Sequence, residues 1–154
     1  MIHILENVFG TNIKFAQEWS FKLPDNDTWF DYEDLNYGNY LVDIARDFFH
    51  MQQIVGCEMH INHKTPLMHY DKDEGLFAET GKLSFPLCSI VWYPLVDMEN
   101  GELIFPTSDV TVKPKTDMLV IFDSKLLHGG KSFTGIRKSV GINPWSKKPM
   151  TYNV

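Results

Sequence analysis

The chain has 154 residues, with 20 acidic and 14 basic side chains and a formal net charge of −6. This length predicts one domain, 1–154, with a true hydrophobic core. Hydrophobic residues make up 44% and aromatic residues 14% of the chain, which excludes a disordered protein. The acidic balance disfavours a nucleic-acid partner, because phosphate contacts normally require a basic face.

Cysteine usage and apolar runs give no indication of secretion or of a membrane. Cys57 and Cys88 have no CxxC spacing, so neither a disulfide framework nor a zinc site is predicted. Met1–Gly10 lacks the basic start and apolar run of a signal peptide, and no window reaches the roughly 18 apolar residues of a membrane span. We therefore expect a cytoplasmic protein with no membrane partner. The pattern carries no signal of an oligomeric state.

The first part of the chain, 1–53, is predicted to contain a strand and a supporting helix. The strand is predicted at Asn12–Ser20, and a turn-rich stretch follows at Pro24–Asp27. From about Asn39 to His50, apolar residues recur at three- and four-residue steps, which predicts an amphipathic helix. These apolar residues are Leu41, Ile44, Ala45 and Phe48.

The remaining core, 54–145, has the rhythm of an antiparallel sandwich or barrel, because short apolar or alternating runs are separated by turn residues. Eight candidate strands after a helix fit a jelly roll of two sheets. The predicted strands are Ile54–Asn62, Pro66–Asp71, Leu87–Leu95, Gly101–Phe105, Asp109–Lys113, Asp117–Phe122, Leu126–Phe133 and Ile136–Trp145. The predicted fold is therefore mainly β, with an N-terminal helix.

His69, Asp71 and His128 are candidate metal ligands. Residues two apart in a strand project from the same face, so His69 and Asp71 could offer an imidazole and a carboxylate to one ion, with His128 as third ligand. Such a set leaves octahedral positions open, which suits Fe(II). Gly129 and Gly130 would let backbone and substrate approach the metal. His-x-Asp also arises by composition alone, in which case His69 is a surface residue and Asp71 a turn residue.

Arg137 and Ser139 are candidate ligands of an anion. They are two apart on a predicted strand, so a guanidinium fork and a hydroxyl would face the same side and could bind a carboxylate. Tyr93 is a further candidate whose hydroxyl could reach the same carboxylate, and an ordinary core tyrosine is the alternative. An Arg-x-Ser pair is more often found on a solvated strand face, where it binds no anion. Only the distance in sequence between His128 and Arg137 favours the anion site here.

Seven stretches carry a resemblance to a known family. They are Met68-His69-Tyr70-Asp71, Trp92-Tyr93-Pro94-Leu95, Gly101-Glu102-Leu103-Ile104-Phe105-Pro106, Val112-Lys113-Pro114, Leu119-Val120-Ile121-Phe122, Leu127-His128-Gly129-Gly130 and Gly135-Ile136-Arg137-Lys138-Ser139. In this order they resemble the 2-oxoglutarate/Fe(II)-dependent dioxygenases, specifically the prolyl 4-hydroxylase-like branch. The order of the stretches is more specific than any one of them.

The resemblance implies a double-stranded β-helix whose N-terminal helix supports the larger sheet. It implies three ligands of Fe(II) and three residues that bind 2-oxoglutarate. The metal ligands would be His69, Asp71 and His128, and the 2-oxoglutarate ligands would be Arg137, Ser139 and Tyr93. Such an enzyme uses O2 as cosubstrate, with ascorbate as an optional further cofactor. It hydroxylates an unactivated C–H bond and releases succinate and CO2. The implied substrate is a peptidyl proline or another protein side chain, and the alternative is a free amino acid or other small molecule.

The chain departs from the family pattern before the first candidate ligand. Relatives often place a tyrosine on the first strand of the core, where this chain has Glu58–Asn62, and His60 or Asn62 could substitute for it. As metal ligands, His60 and His63 are poor candidates, because residues three apart point to opposite faces of a strand. Lys72–Pro86 is either a lid or a solvated loop.

A second class of function remains open on the sequence. The chain could be a non-catalytic metal-binding jelly-roll or cupin-like module. Such a module would bind metal without regard to 2-oxoglutarate, and it would lose no function when Arg137 is changed.

Overall fold

The structure is a computed structural model that describes residues 1–153. The strands are β1 Ile2–Leu5, β2 Thr28–Asp31, β3 Gly56–Asn62, β4 Ser89–Asn100, β5 Leu103–Phe105, β6 Val110–Val112, β7 Met118–Phe122, β8 Gly129–Gly130 and β9 Phe133–Trp145. The helices are α1 Ile13–Ser20, α2 Tyr37–Ala45 and α3 Glu74–Thr80. None of the helices described in 1–153 has the length and apolarity that crossing a bilayer requires.

The strands form two antiparallel sheets, which confirms the predicted jelly roll. The larger sheet has six strands in the order β1-β7-β4-β9-β3-β2, and the smaller one has three in the order β6-β5-β8. A core that contains Phe105 from the smaller sheet and Phe122 from the larger one lies between them. A second core lies on the outer face of the larger sheet, where α1 and α2 pack.

Strand β7 shows how the larger sheet separates these two cores. All five of its residues are buried. Leu119 and Ile121 belong to the core beneath the helices, whereas Val120 and Phe122 belong to the core between the sheets. Alternate residues of a strand point to opposite faces, so a strand covered on both sides becomes a continuous apolar run.

The predicted strand Asn12–Ser20 is wrong, because this segment forms α1. Its more buried residues recur at helical spacing, while Phe15, which a strand would place beside Ile13, is 60% exposed. The buried and half-buried residues are Ile13, Ala16, Gln17, Trp19 and Ser20. The predicted helix near Asn39 is confirmed as α2, although it begins at Tyr37 and ends at Ala45. The sequence reading missed the short strands β1 and β2.

Two of the eight predicted core strands are not regular strands. Pro66–Asp71 contains only one isolated bridge, because Pro66 has no N–H and Leu67 is 85% exposed with no sheet to cover it. In the predicted strand Leu126–Phe133, only Gly129–Gly130 pairs as β8. The other six predicted strands overlap β3, β4, β5, β6, β7 and β9.

Asp117 fixes the segment that leads into α1 to the larger sheet. Its buried carboxylate accepts hydrogen bonds from the backbone N–H of Phe9 at 3.1 Å and of Gly10 at 2.9 Å. It also accepts one from the indole N–H of Trp92 at 3.0 Å. Asp117 has φ +66°, a conformation that Asn and Asp tolerate better than other non-glycine residues. One carboxylate therefore joins the start of β7, the middle of β4 and the N-terminal segment.

Glu58 and Asp73 tie down the C-terminal segment. Glu58 on β3 accepts hydrogen bonds from the indole of Trp145 at 2.7 Å and the hydroxyl of Tyr152 at 2.6 Å. Burial raises the pKa of Glu58 to about 7, and these two bonds offset only part of that effect. Asp73, the N-cap of α3, accepts from the backbone N–H of Met150 at 2.7 Å. The predicted loop Lys72–Pro86 thus contains a helix whose first turn is attached to the end of the chain.

Replacing Asp117 by Ala should lower the free energy of unfolding by roughly 2–4 kcal/mol. The substitution leaves the buried Trp92 N–H without an acceptor and puts Ala in the left-handed region. Asp117→Asn should cost less, because it keeps one acceptor oxygen and tolerates this φ. Urea unfolding followed by tryptophan fluorescence measures both changes. A loss below about 1 kcal/mol for the Ala variant would contradict this role of the carboxylate.

Glu58 should make the protein less stable as the pH rises from about 4.5 to about 7. The folded state holds this proton more tightly than the unfolded state, so stability is complete below the ordinary pKa and is lost as the carboxyl ionises. The expected loss is up to about 3 kcal/mol. It is measured as the difference in unfolding free energy between the wild type and Glu58→Gln, which cancels the other titrating groups. A difference that does not change with pH would refute the raised pKa.

Candidate metal and anion site

His69 and His128 lie opposite each other in an isolated antiparallel bridge between Pro66–Asp71 and the segment before β8. The N–H of His69 donates to the carbonyl of His128 at 2.9 Å, and the N–H of His128 donates to the carbonyl of His69 at 3.1 Å. The two side chains therefore leave the backbone on the same side, and their ring centroids are 4.4 Å apart. Two reciprocal hydrogen bonds thus bring together residues that are distant in sequence.

The two glycines after His128 make this bridge possible. A Cβ atom on Gly129 would lie 2.8 Å from Sδ and 3.0 Å from the backbone N of Met68, which is too close for either group. A Cβ on Gly130 would lie 2.9 Å from the ring of Pro66. The sequence analysis predicted that these glycines let backbone and substrate approach the metal. The space is taken by the backbone that carries His69.

Both imidazoles are oriented by the carbonyl group two residues earlier in the chain. Nδ1 of His69 lies 2.6 Å from the carbonyl oxygen of Leu67, and Nδ1 of His128 lies 2.9 Å from that of Leu126. A carbonyl can only accept, so each Nδ1 carries the proton and donates it. Each Nε2 is then the ring nitrogen that remains for a metal ion, which it would bind without a proton.

The two Nε2 atoms converge on Asp71. Nε2 of His69 is 3.2 Å from Oδ1 of Asp71, and Nε2 of His128 is 3.5 Å from Oδ2. One ligand atom from each residue lies within 4.8 Å of the other two, so the structure brings all three predicted metal ligands together. The His69 side chain is 42% exposed and that of His128 only 6%, so the cluster opens to solvent on the His69 side. Two imidazoles and one carboxylate are a donor set that fits Fe(II).

Asp71 is ionised and its carboxylate is held by polar groups. Burial alone would raise the pKa of Asp71, but hydrogen bonds from His128 and His69 hold it below its usual range. Oδ2 also accepts from the hydroxyl of Ser89 at 2.6 Å and from the amide of Asn143 at 3.1 Å. The sequence analysis missed Ser89 and Asn143. No local spacing links them to Asp71, because they reach it from β4 and β9.

A cavity of about 90 Å³ joins the cluster to Arg137. Arg137 is only 3% exposed, and its Nη1 is 3.4 Å from the Ser139 hydroxyl and 3.4 Å from the carbonyl oxygen of Lys64. Its buried Nε has no hydrogen-bond partner among residues 1–153. The apolar residues of its walls include Ile90, Val91 and Leu103. A buried guanidinium with an unused donor, in a cavity that metal ligands share, fits a small molecule with a carboxylate.

Tyr93 lies against Arg137, as the sequence predicted, but it is not among the residues that line this cavity. The guanidinium carbon is 5.3 Å from the centre of the Tyr93 ring. Tyr93 is fully buried, its hydroxyl has no hydrogen-bond partner in the part of the chain that the structure describes, and burial raises its pKa. The hydroxyl is therefore protonated and remains an unused donor beside Arg137.

His60 and Asn62 line the same cavity, so the two residues that could replace the family tyrosine do face it. Gly141 on the neighbouring strand makes room for His60, because a Cβ there would lie 2.8 Å from Cε1 of the imidazole. Nδ1 of His60 is 2.8 Å from Oδ1 of Asp27. His63 lines neither this cavity nor the one beside it.

A second cavity, of about 140 Å³, borders the cluster on its open side. It shares His69 and Asp71 with the first cavity but does not reach Arg137. Its lining is mostly polar and includes several acidic residues. The residues found only in this cavity are Asp27, Glu58, Tyr70, Lys72 and Glu74.

Comparison with known proteins gives matches in structure only. No protein-family model matches the chain, and no curated protein matches it in sequence. It is similar to a viral collagen prolyl hydroxylase of Paramecium bursaria Chlorella virus-1, solved with 2OG, at 17% identity and TM-score 0.64, covering 93% of this chain and 94% of that one. It is also similar to a 2OG-Fe(II) oxygenase family protein of Burkholderia pseudomallei, at 13% identity and TM-score 0.68, over 96% and 85% of the two chains.

A third similar structure is a Trichoplax adhaerens prolyl hydroxylase in complex with a peptide fragment of the hypoxia inducible factor oxygen degradation domain. It shares 11% identity at TM-score 0.58, over 94% of this chain and 83% of that one. All three matches span nearly the whole chain, so the similarity covers both the jelly roll and the helices that support it. The chain therefore has the fold of the prolyl hydroxylases and related 2OG-Fe(II) oxygenases.

Proposed function

We propose that the chain is a 2-oxoglutarate- and Fe(II)-dependent dioxygenase that hydroxylates an unactivated C–H bond. One observation carries the proposal. The His69, Asp71 and His128 cluster and the buried Arg137 share one cavity, so a metal-binding group and an anion-binding group lie at its two ends. The shared fold supports this proposal. We further propose that 1–154 form one catalytic domain.

The roles of the chain's own residues follow from their hydrogen bonds. His69 and His128 would hold the metal through Nε2, because their Nδ1 protons are already donated to backbone carbonyls. Asp71 would bind it as an ionised carboxylate. Together with 2-oxoglutarate, the bound Fe(II) supplies the oxidising chemistry, in which O2 hydroxylates the substrate while the keto acid becomes succinate and CO2.

At the other end of the cavity, Arg137 would pair with the distal carboxylate of 2-oxoglutarate. The unused Nε donor of Arg137 and the unused hydroxyl of Tyr93 are buried groups that need an acceptor. Ser139 adds a hydroxyl on the same face of β9. The apolar walls of the cavity lower the local dielectric constant, which strengthens these charge interactions.

We propose a protein or peptide as the substrate, with prolyl side chains as the first choice. The second cavity supports this, because it borders the metal cluster without entering the anion end. The segment around His69 also presents an exposed apolar rim to a bound chain. Its members are Leu67 at 85%, Met68 at 45% and Tyr70 at 42% exposure. The peptide in the Trichoplax adhaerens complex supports the same kind of substrate.

The metal and keto-acid chemistry is tested by anaerobic addition of Fe(II) and 2-oxoglutarate to the metal-free protein. We expect a visible charge-transfer band that requires both components and is lost in Asp71→Ala. Asp97→Ala, which removes an exposed carboxylate from β4, should keep the band. Metal binding without the band would favour a non-catalytic metal-binding module. Absence of metal binding would refute the assignment of the three ligands. Succinate release with proline peptides, compared with free amino acids, then tests the substrate class.

Arg137→Ala should raise the dissociation constant of 2-oxoglutarate by roughly 30-fold or more, because truncating one partner of a buried charge pair costs about 2–5 kcal/mol. Arg137→Lys should lose less, since it keeps the charge but not the planar fork. Metal affinity without 2-oxoglutarate should not change. Lys138→Ala is the matched control, because its ammonium lies over the Phe21 ring outside the cavity. Titration of the charge-transfer band measures all three variants, and unchanged affinity in Arg137→Ala would contradict the anion site.

A further inference from the structure

The carboxylate of Asp71 is supplied by a segment that forms no regular strand. Pro66–Asp71 is joined to the smaller sheet by the bridge at His69 and by a hydrogen bond from the Gly130 N–H to the Pro66 carbonyl at 3.0 Å, and Asp71 lies two residues after the bridge. A carboxylate on such a segment has several rotamers available, and only one of them faces both imidazoles. Something other than the backbone must therefore select that rotamer.

The selection comes from the larger sheet. Ser89, at the start of β4 and 1% exposed, donates its hydroxyl proton to Oδ2 of Asp71 at 2.6 Å. Asn143, on β9, places its amide nitrogen 3.1 Å from the same oxygen and 3.1 Å from the Ser89 hydroxyl. The two protons of that amide group are thus divided between Asp71 and Ser89.

A third residue fixes the hydroxyl of Ser89. The hydroxyl oxygens of Ser89 and Ser124 are 3.0 Å apart, and Ser124 is 2% exposed. Ser89 has one proton, and its shorter contact with Asp71 takes it, so Ser124 is the donor in the second bond. The Ser89 oxygen then accepts from Ser124 and Asn143. Its single proton has only one direction left, toward Asp71.

The arrangement distinguishes the two oxygens of Asp71. Both oxygens face an imidazole, Oδ1 that of His69 at 3.2 Å and Oδ2 that of His128 at 3.5 Å, but only Oδ2 also accepts hydrogen bonds from the neutral donors Ser89 and Asn143. We propose that Ser89 and Asn143, oriented by Ser124, are positioning residues that hold Oδ2 and leave Oδ1 as the ligand oxygen. This inference rests on the proposed metal site and names the residues that prepare it.

The test measures Co(II) binding to the intact chain by calorimetry and by the visible spectrum of the bound ion. Ser89→Ala and Asn143→Ala should each raise the dissociation constant about 10- to 100-fold, the usual effect of losing a hydrogen bond to a metal ligand. The spectrum should also change, because a released carboxylate can turn its second oxygen to the ion. Ser89→Thr, which keeps the hydroxyl, should retain most of the affinity.

Ser20→Ala is the matched control. Ser20 is also fully buried and hydrogen-bonded, to the carbonyl of Gln17 at 2.8 Å, but it lies in α1 away from the site. It should lose a similar amount of stability and keep both the affinity and the spectrum. The variant Ser89→Ala/Asn143→Ala should lose less affinity than the two single changes added together, because both act through one oxygen.

The possible outcomes separate this inference from the proposed function. Wild-type affinity and spectrum in both single variants, with the 2-oxoglutarate band intact in the wild type, would overturn the positioning role alone. Absence of Co(II) and Fe(II) binding in the wild type would overturn the proposed function and the positioning role together. If Ser89→Ala does not fold, Asn143→Ala and Ser89→Thr still decide the matter through the same two readouts.

Discussion

The pair of hydrogen bonds between His69 and His128 is the interaction on which the site depends. It attaches an irregular, largely exposed segment to the edge of the smaller sheet, next to β8. Without it, the backbone of His69 would have no fixed distance from that of His128. Gly129 permits the pairing, since any side chain there would collide with Met68. A steric requirement of the backbone therefore underlies the geometry of the candidate ligands.

The larger sheet does two tasks with its two faces. Residues such as Val140 and Ile142 of β9 lie in the core beneath the helices. The alternate residues of the same strand line the cavity, and they are Arg137, Ser139, Gly141 and Asn143. The period of two lets one strand build a core and a polar site at once. Two buried donors on this side, Nε of Arg137 and the hydroxyl of Tyr93, lack partners among the described residues, a cost to stability that a ligand would relieve.

Local residue spacing predicted most strands of the core correctly and was less reliable elsewhere. It grouped His69 with Asp71 and Arg137 with Ser139, because side-chain direction in extended chain depends only on neighbouring positions. The strand assigned to Pro66–Asp71 was wrong, yet the segment still brings both side chains to one cluster. The helix α1 was missed because its apolar residues also alternate in part. Ser89 was missed because its contact with Asp71 depends on the tertiary fold, and no residue periodicity along the chain indicates it.

The order of strands also determines how the protein must fold. β1 pairs with β7 and β3 with β9, so much of the larger sheet joins parts of the chain that are far apart in sequence. Such pairings lose loop-closure entropy before they gain contacts, which makes folding slow compared with helical proteins of this size. Asn143 lies near the end of β9, so Asp71 can be oriented only after synthesis has passed that strand. A metal ion at the proposed site would therefore meet the oriented Asp71 carboxylate only after β9 has paired.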